Sequence, residues 1–343
     1  MPSRPPNRSV RPMSDRRFPR RSRILVTTAR KIPTRADFFA ALGLLVVVAP
    51  MVFTAFHNNS AAVAATAVPS IGGCPVFPAD NPWNQTIDAL PIHPESRSWM
   101  ASVDAGSMRL HADFGPDPQV GIPFVVVPTR QVGVRVRFDE AADESDAGRY
   151  PIPARAPIES GSDRHVLVVQ TGTCKLFELF GARRAGAGWV AGSGAIFDLR
   201  SNKMRPKGWT SADAAGLPIL PGLVRYDEVR VGAIRHPIRV TFPATQNGFV
   251  APARHQAGVD DPSLPPMGAR IRLRANVELS SYTGQARIIL EAMKTYGLIV
   301  ADNGSSWFIS GAPDSRWNDD DLRQLKSMDT SLFDFVDSGP IER

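Results

Sequence analysis

Two apolar runs flank a short polar turn in the segment His165-Val-Leu-Val-Val-Gln-Thr-Gly-Thr-Cys-Lys-Leu-Phe-Glu-Leu-Phe180. The runs are rich in β-branched and aromatic residues, and Gly172 lies at the centre of the turn, which is typical of a β-hairpin. Similar short runs recur along the chain, separated by many of its 31 prolines and 27 glycines. These further candidate strands cover residues 124–127, 132–138, 195–199, 238–242 and 269–275. We therefore expect a mainly β fold, a jelly-roll-like β-sandwich.

The hairpin register predicts which of its polar side chains share a face. If Gln170 lies opposite Lys175, then Glu178 lies opposite Leu167 and on the same sheet face as His165. On a buried concave face, this carboxylate and this imidazole form a candidate general acid/base pair. On a solvent face, the same two side chains form an ordinary cross-strand contact.

Two further features refine the fold prediction. Arginines alternate with aliphatic residues in segments 132–138 and 270–275, and such alternation is typical of a sheet with one face in water. Two or three short helices are expected, over residues 95–103, over residues 283–296 before Gly297, and after the capping residue Asn318. Three aspartates follow Asn318, at positions 319–321, where the helix dipole favours them; they lack the ligand spacing of a calcium loop.

The positive charge of the chain is concentrated at its N-terminus. The formal net charge is +7, but residues 1–37 contain eleven Lys or Arg and two Asp, so this basic n-region carries +9 and the remainder carries −2. The remainder therefore has no overall basic field for a polyphosphate, and we expect no nucleic-acid partner.

A hydrophobic segment at residues 38–67 follows the basic region. Its uncharged run FFAALGLLVVVAPMVFTAF (38–56) precedes the small-residue tract AAVAATA (61–67). This order predicts an export signal, and the alternative is an uncleaved membrane anchor with the domain outside the cell. We expect residues 68–343 to form a single β-rich extracytoplasmic domain, secreted or tethered to the membrane only through this N-terminal segment.

The chain has two cysteines, Cys74 and Cys174, both beyond the hydrophobic segment. In an oxidising compartment we expect them to form a disulfide; two buried free thiols are the alternative. They do not form a Cys-x-x-Cys pair, so redox catalysis and structural zinc are not expected. His111 and Asp113 have a spacing seen in metal sites, but a single such pair is weak support for one. No metal or other cofactor is therefore expected.

Standard catalytic signatures are absent from the sequence, including a Gly-x-Ser-x-Gly elbow, a phosphate loop and a dinucleotide fingerprint. The densest polar segment begins at Asp198 and continues with Arg200, Asn202 and Trp209. These donors and the aromatic plane are suited to binding a polar ligand or stacking on a sugar, although Asp198 and Arg200 also suit a simple ion pair. The nearby Asp213 is interpreted as a residue of a helix cap.

Two later segments contribute candidate binding residues. The proline-rich loop 218–228 ends in Tyr226, Asp227 and Glu228, and a rigid loop with these side chains is suited to ligand binding. His255 lies in another polar loop and is included among the candidate binding residues. The segment 301–304 is interpreted as a tight turn.

Four longer strings resemble a family of exported bacterial proteins. They are Ala79-Asp-Asn-Pro-Trp-Asn84, Leu110-His-Ala-Asp-Phe-Gly115, Gly192-Ser-Gly-Ala-Ile-Phe-Asp-Leu-Arg-Ser-Asn202, and Gly208-Trp-Thr-Ser-Ala-Asp-Ala-Ala-Gly-Leu-Pro-Ile-Leu-Pro-Gly-Leu-Val-Arg-Tyr-Asp227. The family is uncharacterised, so the resemblance implies a single exported domain over most of residues 74–337 and no functional residue.

Export, short strands and scattered aromatics together favour a carbohydrate-active protein whose partner is a polysaccharide or a cell-envelope glycan. A glycoside hydrolase would use Glu178 and Asp198 as its two carboxylates, with His165 beside Glu178. A polysaccharide lyase would use His165 or Tyr226 as base and Arg200 to neutralise a uronate. The alternatives are a non-catalytic carbohydrate- or envelope-binding protein and a purely structural envelope protein.

Overall fold

Strands dominate the computed structural model, which describes residues 68–343. The strands in this part of the chain are β1 (Ser70–Ile71), β2 (Cys74–Pro75), β3 (His111–Asp113), β4 (Phe124–Val127), β5 (Val134–Phe138), β6 (Arg149–Tyr150), β7 (Val166–Gln170), β8 (Lys175–Phe180), β9 (Arg183–Ala185), β10 (Gly188–Ala191), β11 (Ser193–Asp198), β12 (Ile238–Phe242), β13 (Phe249–Val250), β14 (Arg270–Leu273), β15 (Leu298–Asn303), β16 (Phe308–Ser310), β17 (Phe333–Val336) and β18 (Ile341–Glu342). The α-helices are α1 (Ser96–Ser102), α2 (Tyr226–Arg230), α3 (Gly284–Thr295) and α4 (Asp319–Arg323).

Three larger sheets organise these strands. The hairpin sheet has the order β11-β8-β7-β4, the arginine sheet has the order β6-β5-β10-β9, and the six-stranded sheet has the order β17-β14-β15-β12-β16-β3. The predicted hairpin is present with the predicted register, because Gln170 lies opposite Lys175 and Leu167 lies opposite Glu178.

The hairpin sheet is buried on both faces, because another sheet packs against each of them. One face contributes Val168 and Leu179 to a small core that also contains Trp189 of the arginine sheet. The opposite face contributes Leu167 and Leu176 to a larger core shared with the six-stranded sheet. Both faces are apolar because β7 and β8 are nearly continuous hydrophobic runs. The prediction of a mainly β fold is confirmed.

The sheets are mixed, whereas a jelly-roll pattern is antiparallel. Four strand pairs are parallel: β4 with β7, β5 with β10, β12 with β15, and β3 with β16. A parallel pair needs a long connection, and the segment between β12 and β15 includes α3. The long proline-rich connections between the short strands make this mixed pairing feasible.

The three predicted helices form close to their predicted bounds, as α1, α3 and α4. The side-chain oxygen of Asn318 accepts the backbone N–H groups of Asp320 and Asp321, so the predicted cap of α4 is present. The helix α2 was not expected, because the preceding prolines favoured an extended loop. It begins at Tyr226, just after a single 3₁₀ turn at Leu220–Gly222.

The prediction that alternating arginines face water is correct for β5 and wrong for β14. Arg135 and Arg137 are exposed, but Arg270 is 4% exposed. Its guanidinium donates to the carbonyl oxygen of Tyr296 at 2.8 Å, at the end of α3. Chain segments that are distant in sequence cover this face of β14. The alternation within the strand cannot predict that these segments pack on it.

Cys74 and Cys174 form the expected disulfide, which joins β2 to the turn of the hairpin across 100 residues. The expected n-region (1–37) and the expected export signal or anchor (38–67) lie outside the described residues. Within residues 68–343, no helix is long and apolar enough to cross a membrane.

Candidate functional site

Glu178 is fully buried on the large-core face of the hairpin sheet. Its carboxylate accepts the backbone N–H of Ile219 at 2.9 Å and that of Leu220 at 2.9 Å. Burial raises the pKa of Glu178 to about 7, although the two N–H groups act in the opposite direction. Glu178 therefore anchors the proline-rich segment around Leu220, and no part of its side chain reaches solvent.

His165 is also buried, but its partners are Glu159 and Ala212, not Glu178. Its Nδ1 lies 2.5 Å from Glu159 Oε2, and its Nε2 lies 3.0 Å from the carbonyl oxygen of Ala212. Burial lowers the pKa of His165, but the hydrogen bond and charge of Glu159 outweigh it and the net shift is upward. Because both ring nitrogens face acceptors, the surroundings favour the protonated ring, and neither nitrogen points to a substrate as a general base would.

The structure does not bring Glu178 and Asp198 together. Glu178 lies opposite Ala195 on β11, and Asp198 is three residues further along that strand. Successive side chains alternate between faces, so Asp198 points from the opposite face of the hairpin sheet. The prediction that these two carboxylates flank one glycosidic bond does not fit this geometry.

Asp198 and Trp209 do meet, at a cavity of about 590 Å³ that we call the cleft. The cleft lies where β11 ends, and its lining also includes Lys175, Lys203 and Arg205. Lys175 lies opposite Asp198 in the sheet register. Sequence analysis placed Asp198 and Trp209 in one site only because they are close in the sequence. The pairing of β8 with β11 adds Lys175 to that site.

Arg205 lines the cleft and is 7% exposed. Its Nε donates to the carbonyl oxygen of Thr210 at 2.8 Å, and its Nη1 forms an ion pair with Asp146. The guanidinium carbon lies 5.6 Å from the ring centroid of Trp209 and 5.8 Å from that of Phe197. These contacts fix the tryptophan ring in the cleft wall.

Asn202 and Arg200 support the cleft from outside. Asn202 accepts from Asn81 Nδ2 at 2.9 Å and donates to Asp80 Oδ1 at 2.9 Å, beside an adjoining cavity of about 150 Å³. Arg200 donates to the carbonyl oxygen of Gly172 at 3.0 Å, at the hairpin turn. Asn202 therefore fixes the segment that leads to the cleft, and Arg200 ties that segment to the hairpin.

Tyr226 and Asp227 lie elsewhere, on α2, beside a separate cavity of about 200 Å³. The ring of Tyr226 packs edge-on against Trp317 with 5.1 Å between centroids, and the guanidinium of Arg316 lies 4.4 Å from the Tyr226 ring centroid. Asp227 is exposed and lies 3.0 Å from the same guanidinium. His255 contacts the carbonyl oxygen of Ala214 at 2.8 Å through Nδ1 and fixes a turn.

Sequence analysis did not group five ionisable residues that we call the charge cluster: Glu159, His165, Asp213, Arg239 and Asp302. Arg239 donates to both oxygens of Asp213, at 2.8 and 3.2 Å, and to Asp302 Oδ2 at 3.1 Å. Asp213 is therefore the partner of a buried arginine and not a helix-cap residue. Asp302 lies in strand β15 and not in a tight turn.

The charge cluster extends from the interior to the surface. The side chain of Asp213 is fully buried, whereas those of Glu159 and Asp302 are 16% and 26% exposed. Burial and the charge of Asp213 raise the pKa of Asp302 to about 6, against the opposing effect of Arg239. Among residues 68–343, no group of three or more His, Cys, Asp or Glu side chains is arranged to hold a metal ion.

One sequence signal could have located the charge cluster. Arg239 is the single charged residue of Ile238-Arg-Val-Thr-Phe242, a strand that is buried throughout. A buried arginine requires acidic partners, but only the fold identifies them as Asp213 and Asp302.

Compared with family models, curated proteins and solved structures, the chain matches none of them. The resemblance to an exported bacterial family stays a prediction.

Proposed function

We propose that this protein is an exported, carbohydrate-active protein that binds an acidic polysaccharide in the cleft. The observation that carries the proposal is that Trp209, Asp198 and two lysines with no ion-pair partner within residues 68–343 line one cavity of about 590 Å³. That volume lies within the range of about 300–1,000 Å³ that is usual for ligand sites.

The chemistry of the cleft wall suits a sugar ring. An aromatic plane such as Trp209 packs against the apolar face of a sugar, and a carboxylate such as Asp198 accepts bonds from its hydroxyl groups. Arg205 holds the Trp209 ring in place before a ligand arrives, which lowers the entropy cost of binding.

The charge of the cleft favours an acidic glycan. Arg205 is neutralised by Asp146, whereas the ion pairs found among residues 68–343 include neither Lys175 nor Lys203. Two free ammonium groups against the single carboxylate of Asp198 leave a net positive lining that attracts carboxylate or sulfate groups.

The disulfide and the leader sequence support an extracytoplasmic location. A disulfide, such as the one between Cys74 and Cys174, persists in an oxidising compartment outside the cytosol. Together with the expected export signal, it supports a polysaccharide of the cell envelope or the surroundings as the partner.

The test measures the affinity of the oxidised protein for soluble polyuronates, sulfated glycans and neutral glucans by affinity electrophoresis and calorimetry. We expect acidic glycans to bind, Trp209→Ala to weaken binding at least 10-fold, and the double variant Lys175→Gln/Lys203→Gln to remove the preference for acidic over neutral glycans. Lys326→Gln, a substitution in a different cavity, serves as the control and leaves affinity unchanged.

Two results contradict the proposal. One is the absence of binding to every glycan in the panel. The other is binding that is unaffected by both Trp209→Ala and the lysine double variant, because the glycan would then occupy another surface.

A further inference from the structure

The cavity of about 150 Å³ that adjoins the cleft, which we call the side pocket, shares a wall with the cleft. Four residues line both cavities: Phe197, Lys203, Met204 and Arg205. A group bound in the cleft and a group bound in the side pocket are therefore neighbours, close enough to belong to one ligand.

The rest of the side pocket is mostly apolar. Besides Phe197, its wall contains three prolines and two aromatic residues: Phe77, Pro82, Trp83, Pro218 and Pro252. Proline has no backbone N–H, so these residues present carbon surface with few donors. An apolar cavity of about this volume can hold a benzene-sized group, so a small acyl group fits. A charged group would lose its water there without a replacement.

Asn81 supplies a buried polar contact in the side pocket. The residue is 7% exposed, and its Oδ1 accepts the backbone N–H of Trp83 at 3.0 Å. Because only the amide oxygen can accept a proton, this bond fixes the direction in which the amide group faces. Nδ2 donates one proton to Asn202 Oδ1 at 2.9 Å, and within residues 68–343 its second proton has no acceptor. A carbonyl oxygen in the side pocket would satisfy that costly buried donor.

The nitrogens of Arg205, the other buried polar residue of the side pocket, are already engaged. Nε, Nη1 and Nη2 donate to the carbonyl oxygen of Thr210, to the carboxylate of Asp146 and to the carbonyl oxygen of Glu144. Lys203 is exposed in the wall shared with the cleft, where it can bind an acidic group of the same sugar. The interior of the side pocket thus combines carbon walls with one free buried donor.

We propose that the side pocket binds an acyl substituent, such as an O-acetyl or N-acetyl group, of the acidic polysaccharide in the cleft. The methyl group contacts the apolar wall, and the carbonyl oxygen accepts the free proton of Asn81 Nδ2. This inference rests on the proposed function, because the sugar ring that carries the substituent occupies the cleft. It narrows the ligand class from acidic glycans to acylated acidic glycans.

The experiment compares two forms of one polymer. They are a partially O-acetylated polyuronate of defined length and the same preparation after mild alkaline de-esterification. The backbone and its charge are identical, so the difference in affinity measured by calorimetry reports on the acetyl groups alone. We expect the oxidised wild-type protein to bind the acetylated form at least 10-fold more tightly, since even one methylene in an apolar pocket contributes about this factor.

The variant Asn81→Asp tests the proposed donor. The substitution keeps the size of the side chain and an acceptor for the Trp83 N–H, but it removes both amide protons. We expect the preference for the acetylated form to fall below 3-fold, while affinity for the de-esterified form changes less than 3-fold. The matched control is Asn318→Asp, at an asparagine that likewise accepts backbone N–H groups, and it keeps the full preference.

A nuclear magnetic resonance measurement on the wild-type protein does not depend on a variant folding. With ¹³C in the acetyl methyl groups of the polymer, we expect nuclear Overhauser contacts between the bound methyl protons and the ring protons of Trp83. Their absence in a complex that does form would show that the acetyl group lies outside the side pocket.

The outcomes separate the two proposals. Equal affinity of the wild-type protein for the two polymer forms overturns the acyl site and leaves the proposed function standing. A folded Asn81→Asp protein with an undiminished preference for the acetylated form overturns the role of Asn81 and the acyl site with it. If neither form binds, both proposals are wrong.

Discussion

Arg239 holds both carboxylate oxygens of Asp213 in a two-point hydrogen bond, at 2.8 and 3.2 Å, inside the protein. The two side chains come from a loop and from strand β12, 26 residues apart in the chain. Because both are buried, neither has solvent as an alternative partner, and each depends on the other for its charge to be accommodated.

Removing this arginine should destabilise the fold strongly. We expect Arg239→Met to lower the free energy of unfolding by about 3–5 kcal/mol, since it leaves Asp213 buried without a counter-charge. Urea denaturation monitored by tryptophan fluorescence measures the change.

Arg270 offers the matched comparison. It is equally buried, no carboxylate pairs with it among residues 68–343, and burial lowers its pKa to about 10. Arg270→Met should therefore cost no more than about 1 kcal/mol. Equal losses for the two variants would show that the arginine side chains act through packing and not through charge.

Glu178 should make stability depend on pH. Its pKa is raised from 4.5 to about 7 in the folded protein, so the folded state binds its proton more tightly than the unfolded state does. The resulting stabilisation is complete below pH 4.5 and is lost as pH rises through 7.

The comparison of wild type with Glu178→Gln isolates this effect, because the amide does not titrate. We expect the unfolding free energy of the wild-type protein, relative to that of Glu178→Gln, to fall by about 3 kcal/mol between pH 4.5 and pH 7. Urea unfolding at a series of pH values measures it, and parallel pH curves would contradict the assignment.

Gly297 should be irreplaceable at the end of α3. Its φ is +70°, and a Cβ there would lie 2.3 Å from the carbonyl oxygen of Ile271. Gly186 has a φ of +56° but open space around it. In thermal or urea unfolding, Gly186→Ala should cost about 1 kcal/mol and Gly297→Ala at least about 2 kcal/mol. Similar losses would mean that the backbone near Ile271 moves aside.

The features that sequence analysis predicted well are those set by local pattern. The hairpin register follows from two apolar runs and a glycine turn, and α3 ends before Gly297 as expected. The Cys74–Cys174 pairing was also predictable, because only one disulfide can form from two cysteines.

The charge cluster could not be predicted in the same way. Asp213 and Asp302 were each interpreted from their immediate neighbours, as a cap residue and a turn residue. Their common partner, Arg239, lies 26 and 63 residues away. The pairing of β12 with β15 brings Arg239 to Asp302, and a loop that packs against the sheet brings Asp213 to Arg239. Likewise, the opposite orientation of Glu178 and Asp198 follows from the pairing of β8 with β11, which the sequence analysis did not specify.

The disulfide between Cys74 and Cys174 closes a covalent ring that contains β2 to β7. A protease that cuts one exposed loop inside this ring, such as the segment around Asp163, opens the ring but releases no fragment. Both new ends remain attached to the chain that carries the cleft and the charge cluster. A nicked molecule would therefore keep all of its parts until the disulfide is reduced.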